Sequence, residues 1–218
     1  METAVVRRFG GARRRLIEAL AERGITDVRV LKAFDDVPRH LFVPTGVQHR
    51  AYEDAALPIG YGQTISQPWA HASALAALHL TGRERVLEVG TGSGFQSALL
   101  TRLVDQVFSI ERVAELATAA RDAFRACGIG RVVQRVGDGT LGWPEFAPFD
   151  AILVGAAAPA VPEPLRTQLA VGGQLLMPIG ERDQQRLLRL RRTAAGWEEQ
   201  WLDPVRFVPL IGAHGFPG

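Results

Sequence analysis

Several residue types that would widen the chemistry of this chain are scarce. Its 218 residues hold one cysteine (Cys127), one lysine (Lys32), two methionines and two tyrosines. A single cysteine excludes an internal disulfide and a multi-cysteine metal site, and it suits a reducing compartment. His40, His49, His79 and His214 show no metal-ligand spacing, so no metal is expected. No stretch reaches the roughly 18 unbroken apolar residues that span a bilayer. Residues 1–15 are basic but lack an apolar core followed by a small-residue cleavage site, so no secretory signal is read there. A cytoplasmic protein without membrane association is expected. An excess of charge is also missing: 25 Lys+Arg stand against 23 Asp+Glu, a formal net charge of +2. That is too little to argue for nucleic-acid binding.

What is present is an ordinary globular composition, 47% hydrophobic and 22% charged, enough to bury a core without staples. No repeat or low-complexity linker divides the chain, which reads as one domain over residues 1–218. In the first third, Leu16, Ile17 and Leu20 predict a helix over Arg13–Arg23, stopped by Gly24. Asp27 is placed to cap a second helix ending before Pro38. From Pro38 to Pro68 no period is sustained, and Phe42, Tyr52, Leu57, Ile59, Tyr61 and Ile65 predict a long loop packed on the domain. A helix is expected from about Gln67 to Leu80.

The remainder alternates. Strands are predicted over 85–89, 106–110, 132–136, 149–154 and 173–177, with helices over 95–103, 113–127 and 163–169. This predicts an α/β fold: a doubly wound, mostly parallel seven-stranded sheet with helices on both faces. An antiparallel C-terminal hairpin, 186–192 with 197–201, turns at Ala195-Gly196. Residues 205–210 read as a last strand. Residues 1–66 would then be N-terminal helices and a covering loop, 67–180 the ligand-binding sheet, and 181–218 the C-terminal strands and tail.

Val86-Leu87-Glu88-Val89-Gly90-Thr91-Gly92-Ser93-Gly94 closes the first strand of this sheet and opens a helix, the ligand-binding edge of such folds. A dinucleotide fingerprint, G-x-G-x-x-G, would need glycine where Phe95 stands, so a nicotinamide oxidoreductase is disfavoured. Glu88 precedes the glycines. Glu111 follows the second strand, where a carboxylate accepts from both ribose hydroxyls. Asp138, in Gly137-Asp138-Gly139, follows the third. Three carboxylates at one edge would repel phosphates but suit a cationic nucleoside such as S-adenosylmethionine, which carries a sulfonium and an ammonium.

Glu88 to Gly94 resembles the first motif of class I S-adenosylmethionine-dependent methyltransferases. Residues 56–68, Ala-Leu-Pro-Ile-Gly-Tyr-Gly-Gln-Thr-Ile-Ser-Gln-Pro, are more specific and resemble the signature loop of protein-L-isoaspartate O-methyltransferases. Gly137-Asp138-Gly139, Pro148 to Ile152, Gly172-Gly173 and Arg206-Phe207-Val208-Pro209-Leu210 continue that pattern, so the resemblance runs from about Arg13 to Gly212. It implies methyl transfer to the free α-carboxylate of L-isoaspartyl residues in damaged proteins and peptides, with S-adenosyl-L-homocysteine as product. The ester then cyclises to a succinimide without the enzyme. By position, the resemblance makes Ser66 the active-site serine. Ile65, Ser66, Gln67, Pro68, His71, Glu88, Gly90, Gly92, Gly94, Glu111, Asp138 and Gly139 become cofactor residues, and Ser66 and Val208 substrate residues. Ile211 stands where some members carry threonine. A monomer is expected.

A carboxylate, with a reference pKa near 4, attacks without a general base. Ser66, His71 and Asp138 are therefore not read as a triad. Ser66 is expected to aim the carboxylate or the cofactor through one hydrogen bond, and also to cap the helix that starts near Gln67. Two rivals stand beside this reading. One is a related methyltransferase acting on aspartate in a dedicated peptide, against which no added recognition domain follows Gly218. The other is a non-catalytic cofactor-binding protein, against which the acidic series and Ser66 are intact.

Overall fold

The computed structural model describes residues 2–217, with side chains from residue 9 onward. Helix α1 spans Glu2–Glu22, longer than the apolar period predicts, because Gly10 and Gly11 blur that period without breaking the helix. Phe9, Leu16 and Leu20 are buried along one stripe. The helix ends as expected: Gly24, with φ +96°, donates to the Ala21 carbonyl, and Ile25 donates back to Leu20. That is the paired closure a left-handed glycine permits. Helix α2, Val28–Asp36, is capped by Asp27, whose carboxylate accepts from the Arg29 N–H at 2.9 Å.

The expected loop from 38 to 67 is instead substantially ordered. It holds two 3₁₀ turns, Arg39–Phe42 and Thr45–Arg50, and an antiparallel hairpin of β1, Leu57–Gly60, with β2, Gln63–Ile65. Its turn places Gly60, Tyr61 and Gly62 at positive φ, and the strands are too short for alternation to announce them. Helix α3, Pro68–Ala77, begins with proline in its first turn, and its cap residue, Gln67, makes no side-chain capping bond. The expected capping by Ser66 does not occur. Asp54 takes that role from across the loop, accepting from the Trp69 N–H at 2.8 Å.

Seven strands form the main sheet: β3 (Arg85–Val89), β4 (Gln106–Glu111), β5 (Val132–Val136), β6 (Phe149–Val154), β7 (Leu169–Gly180), β8 (Gln185–Thr193) and β9 (Gly196–Val205). They lie in the order β5-β4-β3-β6-β7-β8-β9. The first five in that order are parallel, and β8 and β9 return antiparallel. Residues 206–210 do not form a further strand. Apart from one bridge, Ala157 with Pro209, they leave the sheet, because β9 already consumes Val205 and Pro209 has no N–H to donate.

Alternate strand residues feed two cores. Val86, Val107 and Leu153 join α1 to α3, α4 (Phe95–Leu100) and α5 (Ala114–Ala126) on one face. Leu87, Val89, Phe108 and Ile152 meet Trp143 and Leu165 of the other face, where α6 (Glu163–Thr167) and short 3₁₀ turns lie. Strand order reverses between β3 and β6, and the carboxyl ends of those two strands leave the crevice in which such sheets bind ligands. No helix among the described residues is long and apolar enough to cross a membrane.

Candidate active site

Three adjoining depressions open at that crevice. The first lies over the ends of β3 and β4 and is lined by Gly90, Gly92, Glu111, Gly139, Val208 and Ile211, among others. A second, narrow one is lined by Ile65, Ser66, His71, Glu88, Gly92 and Gln96. The third is a wider groove with Ser66, Gln67, Trp69, Arg206 and Val208. Ser66 lines the narrow cavity and the groove, so it stands where they meet. Its hydroxyl has no protein partner among the described residues, and its carbonyl accepts from Arg39 at 2.7 Å.

The glycine turn is shaped from below. Gly94 lies at φ +86°, and a Cβ there would sit 2.8 Å from the Phe124 ring, so packing and backbone both demand glycine. Gly92, at φ +52°, has one neighbour near its missing Cβ, Ile59 at 3.6 Å. Its open side faces the cavity. Glu111 is 6% exposed and takes a backbone donor on each oxygen: Gly92 N–H at 2.8 Å and Val113 N–H at 2.9 Å. Each carboxylate oxygen keeps a lone pair toward the cavity, which matches a pair of vicinal hydroxyls.

Glu88 is buried, and its Oε2 accepts from Ser97 and, at 2.7 Å, from Ser109. Its Oε1 has no partner. Burial pushes its carboxyl up to about 7, against the pull of the two serine hydroxyls. His71 is its neighbour in the lining. Its Nδ1 bonds the Gln96 carbonyl oxygen, which fixes the proton on Nδ1 and leaves Nε2 a bare acceptor without a partner. Burial, with the nearby Arg39 charge, lowers the imidazole to about 3, so it is neutral. Two unpartnered buried acceptors in one narrow cavity are costly unless a ligand supplies donors. An ammonium group supplies three.

The sequence-predicted residues divide accordingly. Ile65, Ser66, Gln67, His71, Glu88, Gly90, Gly92, Glu111, Gly139 and Val208 line the three depressions. Pro68 and Gly94 lie behind the wall. Asp138 is turned elsewhere: one oxygen accepts from Thr140 and the other from the Ala213 N–H at 2.7 Å. It thereby ties down the tail whose Ile211 lines the first cavity. Gln96 and Gly155 line the site without any sequence signal of their own, and Phe207, from the 206–210 motif, lines it too.

A family model described as protein-L-isoaspartate(D-aspartate) O-methyltransferase matches residues 12–215. The chain belongs to that family. A protein-L-isoaspartate O-methyltransferase of Roseiflexus castenholzii is 52% identical over 208 residues, covering 95% of both chains. One of Dictyoglomus thermophilum is 48% identical over 204 residues, covering 94% of this chain and 93% of the relative. Among solved structures, a protein-L-isoaspartate O-methyltransferase superposes with a TM-score of 0.86 at 30% identity, over 93% of this chain and 67% of the other. A Plasmodium falciparum protein described with the same activity, in complex with S-adenosyl-L-homocysteine, gives 0.80 at 28% identity, over 90% and 97%. The two orphaned acceptors call separately for a ligand that brings donors.

Proposed function

We propose that this chain methylates the free α-carboxylate of L-isoaspartyl residues in damaged proteins and peptides, the first step of their repair through a succinimide. The observation that carries this reading is the family match over residues 12–215. S-adenosylmethionine, when bound, supplies a methyl group on a cationic sulfur. The chain's own residues bind, orient and exclude water. Glu111 takes the ribose hydroxyls with its spare lone pairs. Glu88 Oε1 and His71 Nε2 accept from the amino-acid ammonium. Gly92 lets the ligand lie against the backbone, with Gly90 turning the chain beneath it, while Gly139 lines the cavity and is kept small by the Val89 side chain, which a Cβ would meet at 2.4 Å. Ile65, Gln67 and Pro68 carry the wall, Gly94 holds the turn on Phe124, and Asp138 acts through the tail.

The nucleophile arrives ionised, so no general base is needed. Orientation and proximity are worth on the order of 7–11 kcal/mol in such a displacement. Ser66, with a free hydroxyl where the narrow cavity meets the groove, aims the carboxylate. The Val208 N–H has no protein partner among the described residues, which suits it to bond the main chain of an extended peptide, a mode tolerant of sequence. The chain is further read as one domain acting as a cytoplasmic monomer on proteins, without nucleic-acid or membrane partners. The near-neutral charge supports this, as does the lack of a membrane-crossing helix among the described residues. Transfer of label from S-adenosylmethionine to matched isoaspartyl and aspartyl peptides tests the reaction. Label on the isoaspartyl peptide is expected, and preferential labelling of aspartate would favour the dedicated-peptide alternative.

A further inference from the structure

Arg39 heads the fully buried side chains by volume and is 1% exposed, yet it makes no ion pair among the described residues. Asp54, the acidic group that acts on it from a distance, is committed to Arg23 and to the Trp69 N–H. Burial lowers its guanidinium to about 9, which still leaves it charged near neutral pH. A buried charge without a carboxylate is an expensive way to fill space, and an apolar side chain of the same size would do so more cheaply. What the guanidinium adds is direction. Its Nε donates to the Ala51 carbonyl at 2.9 Å and its Nη2 to the Ser66 carbonyl at 2.7 Å. Its plane is held 4.7 Å from the Phe95 ring centroid, and Phe95 in turn meets the His71 ring edge-on at 5.6 Å.

The fork therefore ties the 3₁₀ turn after α2 to the peptide that joins β2 to α3. That peptide carries the Ser66 hydroxyl. Because Ser66 caps no helix and its hydroxyl has no protein partner, the Arg39 bond to its carbonyl is the polar tie that fixes the direction of this residue. We propose that Arg39 is a positioning residue for methyl transfer, fixing the Ser66 peptide at the junction between the narrow cavity and the substrate groove. This rests on the reading of Ser66 given above.

Arg39→Met and Arg39→Lys are compared with wild type in single-turnover methylation of an isoaspartyl peptide at saturating S-adenosylmethionine. Affinity for S-adenosylhomocysteine is measured alongside. Arg39→Met is expected to react at least tenfold more slowly per folded molecule, with affinity for the product changed by less than threefold. Arg39→Lys, which keeps the charge but gives up the two-pronged tie, is expected to fall between the two, threefold or more below wild type. A folded Arg39→Met within twofold of the wild-type rate overturns the proposal, as does a loss of rate matched by an equal loss of product affinity. If Arg39→Met does not fold, a wild-type rate in Arg39→Lys overturns it and the expected threefold loss supports it. Ser66→Ala is run beside them. A wild-type rate there with a slow Arg39→Met defeats the role of the serine hydroxyl and leaves Arg39 fixing the peptide.

Discussion

The Gly92 N–H donates to Glu111 Oε2 at 2.8 Å, so the glycine turn after β3 and the acid at the end of β4 are one device. With the Val113 N–H on Oε1 at 2.9 Å, the carboxylate is oriented before any ligand arrives. Ordering done during folding is not charged again on binding.

Glu111→Ala should therefore weaken S-adenosylhomocysteine binding by about 1.5–3 kcal/mol, through lost charge-assisted bonds and a loosened Gly92 turn. Calorimetric titration measures it, and an unchanged affinity would contradict the placement of the ribose.

Gly92→Ala and Gly94→Ala should fail differently. A non-glycine residue in the left-handed region costs about 1–2 kcal/mol at either position. At Gly94 the new methyl also meets the Phe124 ring at 2.8 Å and Ala120 at 3.0 Å, adding about 1–3 kcal/mol of overpacking. Gly92→Ala should keep most stability and lose cofactor affinity. Gly94→Ala should show the larger drop in denaturation midpoint. Equal midpoints would refute the contrast.

Cofactor affinity should rise with pH. The Glu88 carboxyl is pushed up to about 7 by burial, so below that pH it is protonated and offers an ammonium less. Binding then releases a proton. Affinity for S-adenosylhomocysteine should grow between about pH 6 and 8, and calorimetry in buffers of different ionisation enthalpy should detect the proton. Glu88→Gln should flatten the dependence, and a flat wild-type profile would remove Glu88 from the ammonium site.

His71 adds to the loss of stability in acid. Its folded pKa, about 3, lies below the ordinary value of 6.5, so between those values the unfolded chain binds a proton that the native chain does not. Stability from this group is present above pH 6.5 and is lost as pH falls toward 3, by up to ~1.4 kcal/mol per unit. Glu88 slopes the opposite way between 4.5 and about 7, because its native form holds the proton. Below pH 4.5 the histidine acts without that opposition. His71→Gln should be less acid-sensitive there in urea titrations, and an identical pH slope would place the histidine in contact with solvent.

The parts of this molecule legible in its sequence are those with a local cause. The strands 85–89, 132–136 and 149–154 stand where apolar runs bounded by turns place them, and Gly24 and Asp27 end and begin helices as their chemistry requires. The Gly90–Gly94 turn declares itself because its glycines are needed at the backbone itself. What stays hidden is set by distant partners. Nothing near Asp54 marks it as the cap of a helix that starts 14 residues later. Asp138 sits in a motif that points to ligand, yet one oxygen accepts from Thr140 and the other from a tail 75 residues away. Gln96 becomes functional through His71, 25 residues before it, and Arg39 through a carbonyl 27 residues after it.

The separation of cap from serine makes Ser66 testable without ambiguity. Asp54 holds the first turn of α3, so Ser66→Ala removes no capping bond and should leave the denaturation midpoint within about 0.5 kcal/mol of wild type. Asp54→Ala should instead cost about 1 kcal/mol, the usual loss for a missing cap. If Ser66 aims a nucleophile that is already charged, its removal should slow single-turnover methylation of an isoaspartyl peptide by roughly tenfold to two-hundredfold, the equivalent of about 1–3 kcal/mol. Donor must be saturating, so that binding losses do not pass for chemical ones. Ser66→Thr, which keeps the hydroxyl, should recover part of the rate if the junction admits one more methyl. A covalent role would leave almost no activity in Ser66→Ala and would yield a trappable adduct on the serine. Either result would replace direct displacement with a two-step mechanism. A wild-type rate in the folded variant would reduce Ser66 to a residue held in place by Arg39 with no part in the chemistry.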